Sequence, residues 1–247
     1  MNRARARLIN QEQGPEELVG VFTRPYDPSP GAPTSLVMTT DLPAAARLRV
    51  LATTVPEPPI HEQRLEVCAL VPPTARIILD VGCHQGGVAW RLCQERADRV
   101  IVGVDADSRV ADLARSRLST FVQASIEVPE DAPLWKALRE YGPYDAVLCL
   151  DVLEHVFDPW AVLKRLRPLL AQDGVLVASI PQIRSAPVLH HLLIEGRWDY
   201  FRHGRMPFEG PQSNVLAWNH LRFFTQRSIG QMFAECGYTV ERWEAIE

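Results

Sequence analysis

From Arg76 onward the chain alternates short apolar runs with amphipathic stretches. Ile77-Ile78-Leu79 leads into Asp80, and further runs cover Val100 to Val104, Phe121-Val122, Tyr144 to Leu150 and Val175 to Ile180. The intervening segments predict helices from about Gly86 to Glu95, Ser108 to Leu118, Pro133 to Tyr141 and Pro159 to Leu170. Ser108 is the expected cap of the second, Pro159 stands in the first turn of the fourth, and Gly174 separates that helix from the last run. A run that is apolar throughout, such as Tyr144 to Leu150, predicts a strand buried on both faces of a parallel sheet. Strands alternating with helices mean βαβ units with right-handed crossovers. The expected fold is α/β: an open, doubly wound, mostly parallel sheet.

The flanks depart from this rhythm. Pro25, Pro28, Pro30, Gly31 and Pro33 exclude a helix or central strand there and leave two readings, an extended arm or mobile lid and a disordered tail. Asp41 and Pro43 open a helix over residues 41–55, which Pro56, Pro58 and Pro59 stop. His61 to Leu70 is a second short helix. After Pro181, residues 182–220 are rich in His, Trp, Arg and Pro. A helix from Thr225 to Cys236 then ends at Gly237, and Tyr238 to Trp243 is a final strand. The chain divides into an N-terminal arm and helical extension (1–58) and a main domain (59–247). Within the latter, residues 182–220 form an insertion expected to cover the carboxyl edge of the strands.

Composition narrows the function classes. The chain has 247 residues, is 47% hydrophobic and 23% charged, and carries a net charge of −4. Nothing in that balance asks for nucleic acid or an anionic membrane as partner. No apolar run reaches the roughly 18 residues that span a bilayer. The five cysteines are widely spaced with no Cys-x-x-Cys, which predicts reduced thiols and a cytoplasmic setting. The expected partner is a small molecule, and a homodimer is the one protein association the reading admits.

The chemistry gathers in Leu79-Asp80-Val81-Gly82-Cys83-His84-Gln85-Gly86-Gly87, a strand, a glycine turn and a helix start. Gly82 and Gly86 let the backbone turn sharply and approach a ligand, and the helix aims free N–H groups at the turn. The three-glycine dinucleotide fingerprint is not met, because Gly82 is followed by Cys83 and His84. Asp80 would repel a pyrophosphate but suits a cationic amino group. Asp105, ending the next strand, can accept both hydroxyls of a ribose. Together they describe a ligand with a ribose, a positive amino-acid end and no phosphate.

These residues resemble a known family. Asp80-Val81-Gly82-Cys83 is similar to the opening of the class I S-adenosylmethionine (SAM) methyltransferase motif, Asp/Glu-x-Gly-x-Gly-x-Gly, and Asp105 matches that family's ribose-binding acid. Asp151-Val152-Leu153-Glu154-His155-Val156-Phe157-Asp158-Pro159 resembles the segment that follows strand four. Gly196-Arg197-Trp198-Asp199-Tyr200 and His220-Leu221-Arg222-Phe223-Phe224-Thr225 resemble segments of its bacterial small-molecule and sugar branch. The resemblance covers about residues 60 to 245. It implies a Rossmann-like fold and SAM as cofactor, leaving as S-adenosylhomocysteine. It also implies a cofactor site of Asp80, Gly82, Cys83, His84, Gly86, Asp105, Ala106, Ser125, Ile126, Leu150, Asp151 and Val152. The acceptor it implies is a hydroxyl or amine on a small molecule, with a sugar or natural-product intermediate favoured. Three departures stand out. His84 replaces the middle glycine, Ser125 with Glu127 stands where an acid contacts the adenine amine, and only one strand is visible after the last helix.

His155, just after strand four, and His220, in a segment expected to fold over the pocket, are the candidate catalytic bases. Each has a structural alternative: His155 bonding a loop carbonyl, and His220 packing on Phe223. His190, His191 and His203 are read as loop or surface residues, and no local His or carboxylate spacing points to a metal. Trp198, Tyr200, Trp218 and Phe223 could line an acceptor pocket or simply pack the insertion onto the sheet. Arg197, Arg202, Arg205 and Arg222 could grip an anionic acceptor or form a solvated face. The main alternative functions are a SAM-binding scaffold without turnover and a nicotinamide-dependent enzyme, against which Asp80 and the unmatched fingerprint argue.

Overall fold

The structure, a computed structural model, describes residues 7–8, 17–23, 55–194, 196 and 220–246. Two strands come first, β1 (Arg7–Leu8) and β2 (Glu17–Thr23), followed by two short helices, α1 (Ile60–Gln63) and α2 (Leu65–Cys68). Then alternate β3 (Ile77–Val81), α3 (Gly87–Glu95), β4 (Val100–Asp105), α4 (Ala111–Arg117), β5 (Thr120–Gln123), α5 (Pro133–Tyr141), β6 (Tyr144–Leu150), α6 (Pro159–Leu166) and β7 (Leu170–Pro181). Helices α7 (Ala186–Leu193) and α8 (Gln226–Glu235) precede the last strand, β8 (Thr239–Ile246).

Among the described residues the strands form one sheet in the order β1-β8-β2-β7-β6-β3-β4-β5. The five strands from β7 to β5 are parallel, while β2 runs antiparallel to both β7 and β8. The α/β class and its doubly wound, mostly parallel sheet are therefore observed. Side chains alternate along each strand between two cores, one per face. Leu79, Val102 and Val147 enter the core built with α5, α6 and α8. Their neighbours Ile78, Ile101, Ala146 and Leu148 enter the core built with α2, α3 and α4. No described helix is long and apolar enough to cross a membrane.

Several boundaries differ from the sequence reading, each for a local reason. The helix expected over His61 to Leu70 is two short pieces, because Arg64 between them adopts φ 44° and breaks the hydrogen-bond ladder. Asp107, not Ser108, caps the next helical segment, its carboxylate accepting the Arg109 amide at 2.9 Å; the first turn is 3₁₀. The helix from Pro159 ends at Leu166, and a 3₁₀ turn containing Pro168 follows, since proline cannot continue the ladder. Gly174 lies inside β7, at a register shift against β6, where a Cβ would come 2.7 Å from the Tyr144 carbonyl oxygen. Thr225 caps α8 through a reciprocal pair with Ser228, and Gly237 follows with φ 81°.

The sheet's far edge answers the question of the single C-terminal strand. β2, from the N-terminal arm, fills the antiparallel slot between β7 and β8. This strand precedes the proline stretch and was not read from the sequence. The expected helix over residues 41–55 and most of the 182–220 insertion lie outside the described residues. So do Arg197, Trp198, Tyr200, Arg202, His203, Arg205 and Trp218.

Candidate functional site

The carboxyl ends of β3, β4 and β6 open on a cavity of about 550 Å3, a size typical of small-molecule sites. β3 ends in a turn that only unusual backbone can make. Gly82 has φ 70°, and a Cβ there would sit 2.5 Å from the Val152 side chain. Gly86 has φ 75° and precedes the first turn of α3. Between them His84 adopts φ 45°, a left-handed conformation that costs a non-glycine residue about 1–2 kcal/mol. The Gly82 and Cys83 amides donate to the Val104 carbonyl, tying the turn to β4.

This tie sets the electrostatics. Each oxygen of the Asp105 carboxylate accepts one backbone N–H, from His84 and from Asp107, both at 2.8 Å. The carboxylate is thereby fixed in orientation, with lone pairs left over for a ligand. Asp80 is 3% exposed. Burial first, and then the neighbouring Asp105, push its carboxyl up to about 7, and no cation among the described residues offsets it. Burial, reinforced by Asp80 and Asp105, also pushes the Cys83 thiol far up, so it lines the cavity as an inert apolar group.

After β6, Asp151 has φ 52° and its amide donates to the Ser179 carbonyl on β7. Its carboxylate accepts from the Ser179 hydroxyl at 2.9 Å and from the Arg64 guanidinium at 2.7 Å. Arg64 also bonds Glu66 at 2.6 Å, and it lines the cavity with His61 and Glu62. After β5, Ser125 accepts the Glu127 amide, and Glu127 accepts the Phe157 amide at 2.6 Å. Glu127 therefore joins the loops after β5 and β6 while lining the cavity.

Of the residues singled out by sequence, Asp80, Gly82, Cys83, His84, Asp105, Ala106, Ser125, Ile126, Leu150, Asp151 and Val152 line this one cavity. Gly86 does not; it shapes the helix start behind it, with Arg117 and Leu118 packed close. His155 lines the cavity, and His220 stands behind it, the two rings 4.7 Å apart between centroids at 75°. His220 is 7% exposed. It is carried there by backbone: the Leu221 and Arg222 amides both donate to the Glu154 carbonyl, at 2.7 and 3.0 Å. Sequence reasoning missed His61, Glu62 and Arg64. Their approach depends on the break at Arg64, which no residue preference announces.

A family profile described as "Methyltransferase domain" matches residues 52–242. A ubiquinone biosynthesis O-methyltransferase of Xanthomonas axonopodis pv. citri is 33% identical over 146 residues, 57% of this chain and 59% of that protein. Its namesake in Acinetobacter baylyi is 29% identical over 134 residues, 51% of this chain and 56% of that protein. The chain thus spans little more than half the length of these curated relatives. A crystal structure of a SAM-dependent methyltransferase from Archaeoglobus fulgidus matches with a TM-score of 0.49 at 17% identity, covering 72% of this chain and 67% of that one.

Proposed function

The chain belongs to the family described as a methyltransferase domain, and from that premise we propose that it moves a methyl group from SAM to a hydroxyl or amine of a small molecule. The observation that carries this reading is the charge pattern of the cavity. The carboxylates of Asp80 and Asp105 and the guanidinium of Arg64 share a single space. That set fits a ligand with ribose hydroxyls, an ammonium and a carboxylate, and two carboxylates oppose a pyrophosphate.

Each residue then has a role. Asp105, held by two amides, accepts the ribose hydroxyls on its remaining lone pairs. The buried Asp80 gains the counter-charge it lacks from the ammonium. Arg64 exchanges part of its contact with Asp151 for the cofactor's carboxylate. Ala106, Ser125 and Ile126 wall the base, and Leu150, Asp151, Val152 and His155 wall the side from which an acceptor enters. When bound, the cofactor supplies a methyl already activated by a sulfonium. The chain's own work is alignment and exclusion of water, and alignment alone can contribute about 7–11 kcal/mol. A hydroxyl acceptor must lose its proton, and His155, a third exposed on the cavity wall, can take it. An amine need only be neutral. The names of the curated relatives favour a hydroxyl, and a sugar or natural-product hydroxyl fits the same site.

Titration of SAM and S-adenosylhomocysteine into the purified chain by calorimetry tests the reading, with NAD as control. Micromolar binding of both, weakened more than about tenfold in Asp105→Ala, is the expected result. Binding of NAD instead would sink it. A second reading, SAM binding without turnover, is favoured by one observation: His84 occupies the middle of the glycine turn in a left-handed conformation. Firm S-adenosylhomocysteine binding with no methylation across a screen of hydroxyl and amine acceptors would select it.

A further inference from the structure

We propose that Arg117 is a positioning residue for the cofactor's amino-acid end: buried behind the cavity, it locks the segment that carries His61, Glu62 and Arg64 to the glycine turn. The ligand's identity rests on the methyl-transfer reading; the lock does not. Arg117 is the last residue of α4, is 3% exposed and does not line the cavity. Its guanidinium is where two distant stretches of chain meet. One terminal nitrogen donates to the Gln85 carbonyl in the glycine turn at 3.1 Å, and the other donates to the Pro56 carbonyl ahead of α1 at 3.0 Å. The first nitrogen also lies 4.0 Å from Glu62 Oε2 on α1, an ion pair that closes the triangle. A rigid planar fork holds two acceptors at a set separation, which the single ammonium of a lysine cannot do.

The packing around this lock leaves little slack. A Cβ on Gly86 would come 3.1 Å from the Arg117 Cβ, and one on Gly87 would come 2.4 Å from the Glu62 carbonyl oxygen. The two glycines at the start of α3 thus admit α4 on one side and α1 on the other. α1 and α2 are single turns of four residues each, too short to stand on their own hydrogen bonds. α2 is anchored by Val67 and Cys68, which enter the core. α1 has no such anchor: its buried residue is Gln63, and Ile60 is 65% exposed. Gln63 bonds only within the segment, to Glu57 and the Pro58 carbonyl. Among the described residues, the polar side-chain contact that ties α1 to the sheet domain is therefore Arg117.

The consequence is selective. His61, Glu62 and Arg64 line the cavity from this segment. Freeing it from Arg117 loosens the wall that receives the cofactor's charged end. Asp105, Ala106, Ser125 and Ile126, which wall the nucleoside, belong to β4 and the loops after β4 and β5 and keep their places.

The test uses the full chain with Arg117→Met, which keeps the stem and removes the fork, and Arg117→Lys, which keeps the charge but cannot span both carbonyls. Circular dichroism checks the fold, and Arg117→Lys carries the test if Arg117→Met does not fold. In the ligand-free chain, hydrogen exchange should quicken over residues 60–68 and 82–86 together, while β3, β4 and β6 stay as protected as in the parent. By calorimetry SAM and S-adenosylhomocysteine should bind about tenfold more weakly, and 5′-methylthioadenosine, the nucleoside end alone, within about twofold of the parent. In an Arg64→Ala background Arg117→Met should weaken SAM by less than about twofold more, since the two residues act through one contact. Equal losses for SAM and 5′-methylthioadenosine would mark a merely structural arginine and overturn the inference, as would unchanged exchange in the two segments. If SAM binds the parent and both variants alike, the inference falls and the methyl-transfer reading stands. If the parent binds neither SAM nor S-adenosylhomocysteine while the variants still release both segments, that reading falls, and with it the role toward this ligand, and the lock stands.

Discussion

At the scale of single residues, Asp80 carries the sharpest consequence. A carboxyl pushed up to about 7 by burial and by Asp105 is held partly protonated near neutrality. The neutral form is the one the fold favours. Its contribution to stability is full below the ordinary carboxylate range and is lost as pH rises through about 7. Asp80→Asn should therefore melt well above the parent chain at pH 8 and close to it only at about pH 4 and below, the gap widening in between, a difference thermal scans would read. Binding of a cationic amino group demands the ionised form. SAM affinity should fall as pH drops below about 7, by up to tenfold per unit, and the dependence should flatten in Asp80→Asn. A profile equally steep in both would remove Asp80 from the site. Arg64 invites a different comparison. Arg64→Ala should weaken SAM by about 10–100-fold, the worth of a charge-assisted hydrogen bond, yet leave 5′-methylthioadenosine, which lacks the amino-acid end, nearly unchanged. Equal losses for both ligands would mean that Arg64 only braces Asp151. Asp80 and Asp105 were legible in the sequence because an acid at a strand end has few uses. Arg64 was not, since its place depends on a left-handed backbone that arginine shows no preference for.

At the scale of elements, the glycine turn and the segment after β6 were the most readable parts. Both announce themselves by residues that a regular strand or helix would reject. The limits of that reading are physical. Asp107 outcompetes Ser108 as a cap because its carboxylate reaches the Arg109 amide two residues on, and both candidates are good caps in isolation. The turn itself yields a paired prediction. Gly82→Ala must accept φ 70° and a Cβ 2.5 Å from the Val152 side chain, so it should destabilise by about 2–4 kcal/mol in urea melts and abolish SAM binding. His84→Gly releases a strained side chain but adds backbone entropy to the unfolded state, about 0.5–1 kcal/mol, so the two effects nearly cancel. Stability within about 1 kcal/mol of the parent is expected, with SAM affinity kept or improved. A loss of several kcal/mol in His84→Gly would show that the imidazole does something in the turn beyond occupying it.

At the scale of the whole molecule, the N-terminal arm completes the sheet. The parallel strands β3 to β7 follow from their βαβ rhythm, but the strand beside β7 comes from before that rhythm begins. β2 supplies Val21 to one core and Phe22 to the other, as a strand buried on both faces must. Its seven residues carry few polar positions, so they gave no alternation to read, and nothing local says which edge they join. Phe22 is wholly buried, stacked on Phe233 of α8 with ring centroids 3.5 Å apart, and meets Trp243 of β8 edge-on at 5.9 Å. It therefore joins the arm, the last helix and the last strand in one cluster. Phe22→Ala should destabilise the chain by about 3–5 kcal/mol in denaturant melts, the range for a buried phenylalanine. Removing residues 1–23 should do more, because it leaves facing edges of β7 and β8 unpaired and invites association through them. If the arm is integral, the shortened chain will aggregate or melt far below the parent while Phe22→Ala stays folded and weakened. If both variants melt with the parent, the antiparallel slot must be filled in solution by something other than β2.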